Sequence, residues 1–209
     1  MSPLKNLILS FAAVTVAASG QYKIAPAGAP PSELAPAVSA LLQKDGSRVV
    51  NAGGSSVCEI WFRTAVANGP KVTEDAVTMG TIPVGSLVGV IRFPVQGADR
   101  RGQTIKPGIY TLRYVLMPVS GDHLGAAPQR DFVAMIPAAL DKDPVSTPTQ
   151  EAVIAMSVKA TGTPHPGVLS IAPGSGSISF TKEAEHDWTL NTNLGSLPIA
   201  IILIGKAEA

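Results

Sequence analysis

The chain has 209 residues, 45% of them apolar and 15% charged, with 16 basic and 15 acidic side chains. This composition can bury a core and excludes a disordered chain, and the near balance of charge excludes recruitment to nucleic acid by bulk charge. The single cysteine, Cys58, excludes an intrachain disulfide framework and a zinc ribbon.

Residues 1–20 read as a secretory signal peptide. Met1 to Lys5 carries one positive charge, Leu7 to Ala18 is a mostly apolar run of 12 residues, and Ala18-Ser-Gly20 sets small residues before Gln21. The run is shorter than the roughly 20 residues of a membrane span. Cleavage near Gly20 is expected, with Ala18 as a second site. Loss of Lys5 leaves 15 basic and 15 acidic residues. No later apolar run is long enough to span. The expected product is periplasmic or secreted, with no transmembrane span after signal removal.

Residues 21–46 read as a Pro/Ala-rich linker and a short helix. Gln21 to Pro31 is rich in Ala, Gly and Pro, with Lys23 as its one charge. Ser32 can cap a helix whose first turn tolerates Pro36. Leu34, Val38, Leu41 and Leu42 share its face, and Gly46 supplies the stop.

Residues 47–209 read as a β-sandwich domain. Arg48 to Val50 is a first strand. In Val57 to Arg63, Cys58, Ile60 and Phe62 point one way, opposite Val57, Glu59, Trp61 and Arg63. Leu87 to Phe93 follows. In Ile109 to Met117, the residues Tyr110, Leu112, Tyr114 and Leu116 share a face opposite Thr111 and Arg113. Phe132 to Ile136, Val168 to Ile171, Ser177 to Thr181, Trp188 to Asn191 and Ile199 to Ile204 complete the strands. Thr147-Pro-Thr-Gln150 reads as a capping box opening a helix over Glu151 to Ala160 that stops near Gly162. The β-branched Val153, Ile154 and Val158 make a strand the competing reading there. The fold class is thus mainly all-β: a two-sheet antiparallel sandwich with a short N-terminal helix and one inserted helix.

Two loop histidines have suggestive neighbours. Asp122 and His123, in Gly121-Asp-His-Leu-Gly125, lie in a long connection between two strands, followed by Arg130 and Asp131. An imidazole beside a carboxylate can bind a metal or act as a base. The alternative is loop anchoring, with Asp122 on backbone amides and Arg130 on a carboxylate. His165 is held between prolines in Thr163-Pro-His-Pro166, either as a rigid ligand contact or as an exposed turn ring. His186 sits in a solvated acidic stretch. Glu59 and Trp61 share a strand face, an arrangement that can stack on a sugar; the alternative is a Trp covered by the N-terminal helix. Cys58 reads as a small apolar core residue. The sequence contains no Gly-x-Ser-x-Gly elbow, phosphate-binding loop or dinucleotide fingerprint, and it names no cofactor.

Four segments carry a resemblance: Cys58-Glu-Ile-Trp61; Ile105-Lys-Pro-Gly-Ile-Tyr-Thr-Leu112; Asp122-His-Leu-Gly125 with Arg130-Asp-Phe132; and Gly162-Thr-Pro-His-Pro166. Together they resemble a group of secreted bacterial proteins of unknown function. The resemblance implies a β-sandwich and export and carries no activity across.

The leading expectation is an exported sandwich that binds a small molecule, a glycan or an envelope protein. A metal-dependent enzyme built on His123 and His165, with Asp122 or Asp131 as the carboxylate, is the second. A structural subunit of an envelope complex is the third.

Overall fold

The computed structural model describes residues 21–119 and 129–207. Twelve strands and two helices follow in chain order. They are β1 (Tyr22–Gly28), α1 (Pro36–Ser39), β2 (Gly46–Asn51), β3 (Ser56–Phe62), β4 (Leu87–Phe93), β5 (Gly97–Ala98), β6 (Thr104–Ile105), β7 (Gly108–Leu116) and β8 (Asp131–Pro137). Then come α2 (Gln150–Thr161), β9 (Val168–Pro173), β10 (Ser179–Lys182), β11 (Trp188–Leu194) and β12 (Leu197–Ile204). The protein is mainly β, with antiparallel pairing.

Ten strands form one hydrogen-bonded order, β1-β2-β3-β4-β7-β8-β9-β12-β11-β10, while β5 and β6 make a separate small hairpin. The turning point is β9. Its first half pairs with β8 (Val168 opposite Ala134, Ser170 opposite Phe132). Its second half pairs with β12 (Ile171 opposite Ile201, Pro173 opposite Ile199). The sheet therefore changes direction within one strand and curls until its ends approach. The Tyr22 ring of β1 meets Trp188 of β11 edge-on at 5.5 Å. Gly195 N–H donates to the Arg63 carbonyl at 3.2 Å, and Gln43 Nε2 donates to the Asn193 carbonyl at 2.9 Å. The result is nearly closed and barrel-like. Two separately bonded sheets were expected; alternation reports which face of a strand is buried, but not that β9 divides its two halves between neighbours.

The inward side chains follow the period of two. Cys58, Ile60 and Phe62, then Tyr110, Leu112, Tyr114 and Leu116, then Ile199, Ile201 and Leu203 belong to one interior cluster. Fully burying each such Ile or Leu contributes about 1.5–3 kcal/mol. Burial pushes the Cys58 thiol up to about 12, with the Glu59 carboxylate adding to it, so this cysteine is an inert core residue.

Two covers seal the outer face. Leu34, Val38 and Leu42 pack on Trp61, Leu87 and Val90. Val153 of α2 packs with Val115, Phe132, Ala134, Ile136 and Val168. Strands buried on both faces read as continuous apolar runs, as β4 and β8 do.

Three N-terminal expectations are corrected. Tyr22–Gly28 is not linker but the edge strand β1, where Pro26 is tolerated because an edge leaves one side unpaired. The helix is only Pro36–Ser39, preceded by Ala35, and Ser32 Oγ bonds Glu33 instead of capping it. Gly46 is not a helix stop but opens β2. A Cβ there would overlap the Trp61 indole, whose Nε1–H donates to the Gly28 carbonyl at 2.7 Å. The second helix forms, but not from the expected box: its cap is Thr149 instead of Thr147, and Pro148 precedes the cap, with Thr149 Oγ1 accepting from Ala152 N–H at 3.3 Å. It stops at Gly162 with φ 68°.

Candidate functional site

The sequence candidates separate into structural anchors and one open site. Glu59 lies across from Arg48 on β2 and Arg92 on β4. Its carboxylate bonds Arg48 Nε at 2.8 Å and sits 3.5 Å from Arg92 Nη1. Trp61 is 1% exposed beneath Leu34, Val38 and Leu42. No face of that indole is open to a sugar, so the stacking platform is ruled out and the covered reading holds.

Arg130 and Asp131 anchor loops. Arg130 Nε donates to the Met117 carbonyl at 2.7 Å, and Nη1 pairs with Glu74 at 2.7 Å. Asp131 is fully buried; Oδ2 accepts from Thr78 N–H and Oγ1–H, and Oδ1 from Met79 N–H and the Tyr114 hydroxyl. Burial, with the adjacent Asp131 carboxylate second, raises the Tyr114 phenol well above its ordinary value. Asp122 and His123 lie outside the described residues. His186 is exposed, 3.8 Å from Glu185. Among the described residues, no group of three or more His, Cys, Asp or Glu side chains is placed to hold a metal ion.

Among the described residues, His165 is the sequence candidate that stands at a cavity. The αL residue Gly162 ends α2, and the next four residues turn back toward β9. Thr163 Oγ1 accepts from His165 N–H at 3.1 Å, and Thr161 Oγ1 donates to the His165 carbonyl at 2.7 Å. With prolines on both sides the backbone is fixed, which leaves the ring to face outward.

The β5–β6 hairpin is clamped onto this turn. Asp99, fully buried, accepts from Arg101 N–H at 3.0 Å, Gln103 N–H at 2.7 Å and Val168 N–H at 3.2 Å. Gln103 Nε2 donates to the Pro166 carbonyl at 3.0 Å, and its Oε1 accepts from Thr163 Oγ1 at 2.6 Å. These bonds set Arg101 beside His165, with Nη2 3.5 Å from Nδ1. A guanidinium next to the ring opposes a metal cation at the same nitrogen.

Between this turn, α2 and the end of β7 lies a pocket of about 270 Å³. Its walls are apolar, from Val115, Met117, Pro118, Ile154 and Val168, and its polar side chains are Arg101, Gln150 and His165. Gln150 Oε1 accepts from Leu116 N–H at 2.9 Å, which holds the first turn of α2 on β7. A larger groove of about 750 Å³ opens elsewhere, between Glu33, Arg92, Pro107 and Lys142. It is broad and exposes both signs of charge, so it selects less strongly than an apolar pocket with a few converging polar groups.

The sequence reading missed Arg101. Its one signal was Ala98-Asp-Arg-Arg-Gly102, a turn sequence in which Asp bonds the backbone ahead of it and Gly102 takes φ 77°.

No family model, no curated protein and no solved structure matches this chain.

Proposed function

We propose that the protein is an exported, β-rich binding protein that takes a small molecule in the pocket beside His165. The observation that carries this reading is the junction of an apolar cavity with three polar side chains, on a backbone braced by Asp99, Thr161 and Thr163. A braced cavity with few polar groups suits recognition of an apolar body with a polar end. The interior supports the same reading. It is filled by side chains such as Leu112, Val133 and Ile171, each 0% exposed, so a ligand belongs on the outer face under α2. The resemblance to exported proteins and the signal-like first 20 residues favour a module that works outside the cytoplasm.

The export part predicts an N-terminus at or near Gln21 in protein recovered after secretion. That cut leaves β1 whole, with Tyr22 free to pack on Trp188. N-terminal sequencing that finds uncleaved chain held in membranes would remove it.

The binding part predicts that a panel of small apolar and amphipathic compounds contains members that raise the melting temperature. A ligand at 100 times its Kd contributes about 2.7 kcal/mol. Ile154→Trp, which fills the pocket, should abolish those shifts. Shifts that survive Ile154→Trp, or a panel in which nothing stabilises the protein, would overturn the site.

A further inference from the structure

We infer that the pocket selects a small amphipathic carboxylate, its head group held by Arg101 and His165 and its apolar body between α2 and β7. This inference rests on the pocket being the ligand site. The pocket's chemistry is one-sided: among the described residues its polar lining is Arg101, Gln150 and His165, with no acidic side chain. Among the described residues, His165 Nδ1 is the one polar partner of the Arg101 side chain. An arginine beside an apolar cavity normally has a carboxylate to complete it, because guanidinium hydrogen bonds to carboxylate are charge-assisted and matched in shape. Among the described residues no carboxylate does so here.

The neighbouring groups complete an acceptor-seeking end. Arg101 can donate to His165 Nδ1 only when that nitrogen carries no proton, which leaves Nε2–H as a second donor. Gln150 spends its Oε1 on Leu116 N–H, and among the described residues its NH2 is left as a donor. A planar, two-oxygen anion accepts from several such donors at once. An amine would meet an uncompensated guanidinium, and a neutral alcohol would leave the charge unanswered.

Size narrows the class further. About 270 Å³ holds some nine methylene-sized groups, at about 30 Å³ each, the volume share of one water. That fits a medium-chain or single-ring acid and excludes a long-chain lipid bound along its whole length.

The test is calorimetric titration of the purified protein with octanoate, 1-octanol and octylamine. Octanoate should bind at least 10-fold more tightly than 1-octanol, and octylamine should bind least. Arg101→Met should bring octanoate down to the affinity of 1-octanol without changing the latter. His165→Ala should remove a smaller part of the preference, and Ile154→Trp should abolish all binding. Melting curves show whether each variant is folded, and Arg101→Lys, which keeps the charge but not the fork, should fall between. Equal affinity for octanoate and 1-octanol would overturn the carboxylate class while leaving the pocket as a binding site. A preference for octylamine would overturn it as well. Octanoate binding unchanged in both Arg101→Met and Ile154→Trp would place it elsewhere on the protein. Absence of binding by all three probes would remove the pocket as a ligand site, and this inference with it.

Discussion

Arg113→Met is expected to destabilise the protein by about 3–5 kcal/mol, the range found when one partner of a buried ion pair is removed. Arg113 is 0% exposed on the outer face of β7. Its Nε and Nη2 bond the two oxygens of Asp141, each at 2.7 Å. The remaining donors reach the carbonyls of Gly85, Asp143 and Ser146, also at 2.7 Å. Thr111 Oγ1 adds a bond of 2.6 Å to the same carboxylate. One side chain thus closes the segment that follows β8 onto the sheet. Methionine fills most of the volume but leaves Asp141 charged in a dry site and takes the Arg113 donor from the Gly85 and Ser146 carbonyls, while the Asp143 carbonyl keeps Ser146 Oγ–H at 2.9 Å. Urea denaturation reads the loss. Arg113→Lys should recover little, since an ammonium cannot reproduce the two-pronged contact. Adding Asp141→Leu to Arg113→Met should recover part of the loss, because it removes the orphaned charge. A loss below about 1 kcal/mol for Arg113→Met would mean the pair contributes almost nothing. The same segment leads into Pro148 and the cap of α2, where Gly85 takes φ 81° and a Cβ would overlap the Pro148 carbonyl. The node therefore also sets where the pocket helix begins.

What the sequence made legible was local. Alternation in Val57 to Arg63 and in Ile109 to Met117 placed the inward residues correctly, because a period of two leaves no choice once one face is buried. The stop at Gly162 was legible for the same reason: a residue in αL favours glycine. Arg113 was assigned to the face opposite Leu112, which is right. Its complete burial was not foreseeable, because the cover comes from residues about 30 positions away. Closure of the sheet was hidden in the split pairing of β9, and β1 was hidden because edge strands tolerate the proline that argues for linker. The site shows the same limit. His165 could be singled out, since flanking prolines advertise a fixed ring. Arg101 could not, because only the clamp of Asp99 and Gln103 on the 163–168 turn carries it there. Trp61 shows what alternation leaves open: a Trp and a carboxylate two residues apart suit either a sugar platform or a covered ring, and the packing of Leu34, Val38 and Leu42 decides for the covered one.

Asp131→Ala is expected to cost about 3–4 kcal/mol, since it strips one carboxylate from the buried Met79 N–H and Tyr114 hydroxyl, which cost about 1–3 kcal/mol each when left unpaired, and from Thr78 nearer the surface. Asp131 opens β8, and its oxygens gather Thr78, Met79 and Tyr114 at 2.5–2.9 Å. Those bonds bring the 74–79 segment against the strand, where Glu74 also pairs with Arg130. Asp131→Asn is the sharper test. Thr78 and Met79 present backbone N–H groups to both oxygens, so an amide must turn its NH2 toward at least one donor. Asparagine should therefore recover less than half of the loss, although it is nearly isosteric. Alkaline titration supplies an independent reading. Tyr114 is raised by burial first and by Asp131 second. A phenol whose folded pKa is raised adds stability that is fully present below the ordinary tyrosine pKa of about 10 and is lost as pH rises above it. The parent protein should thus lose stability above about pH 10. In Asp131→Ala the part of the shift due to the carboxylate disappears, so the fall should level off at a lower pH and be smaller in total. Falls of equal extent would show that burial alone holds the phenol neutral. Full rescue by asparagine would show that the network tolerates a donor where a carboxylate now accepts.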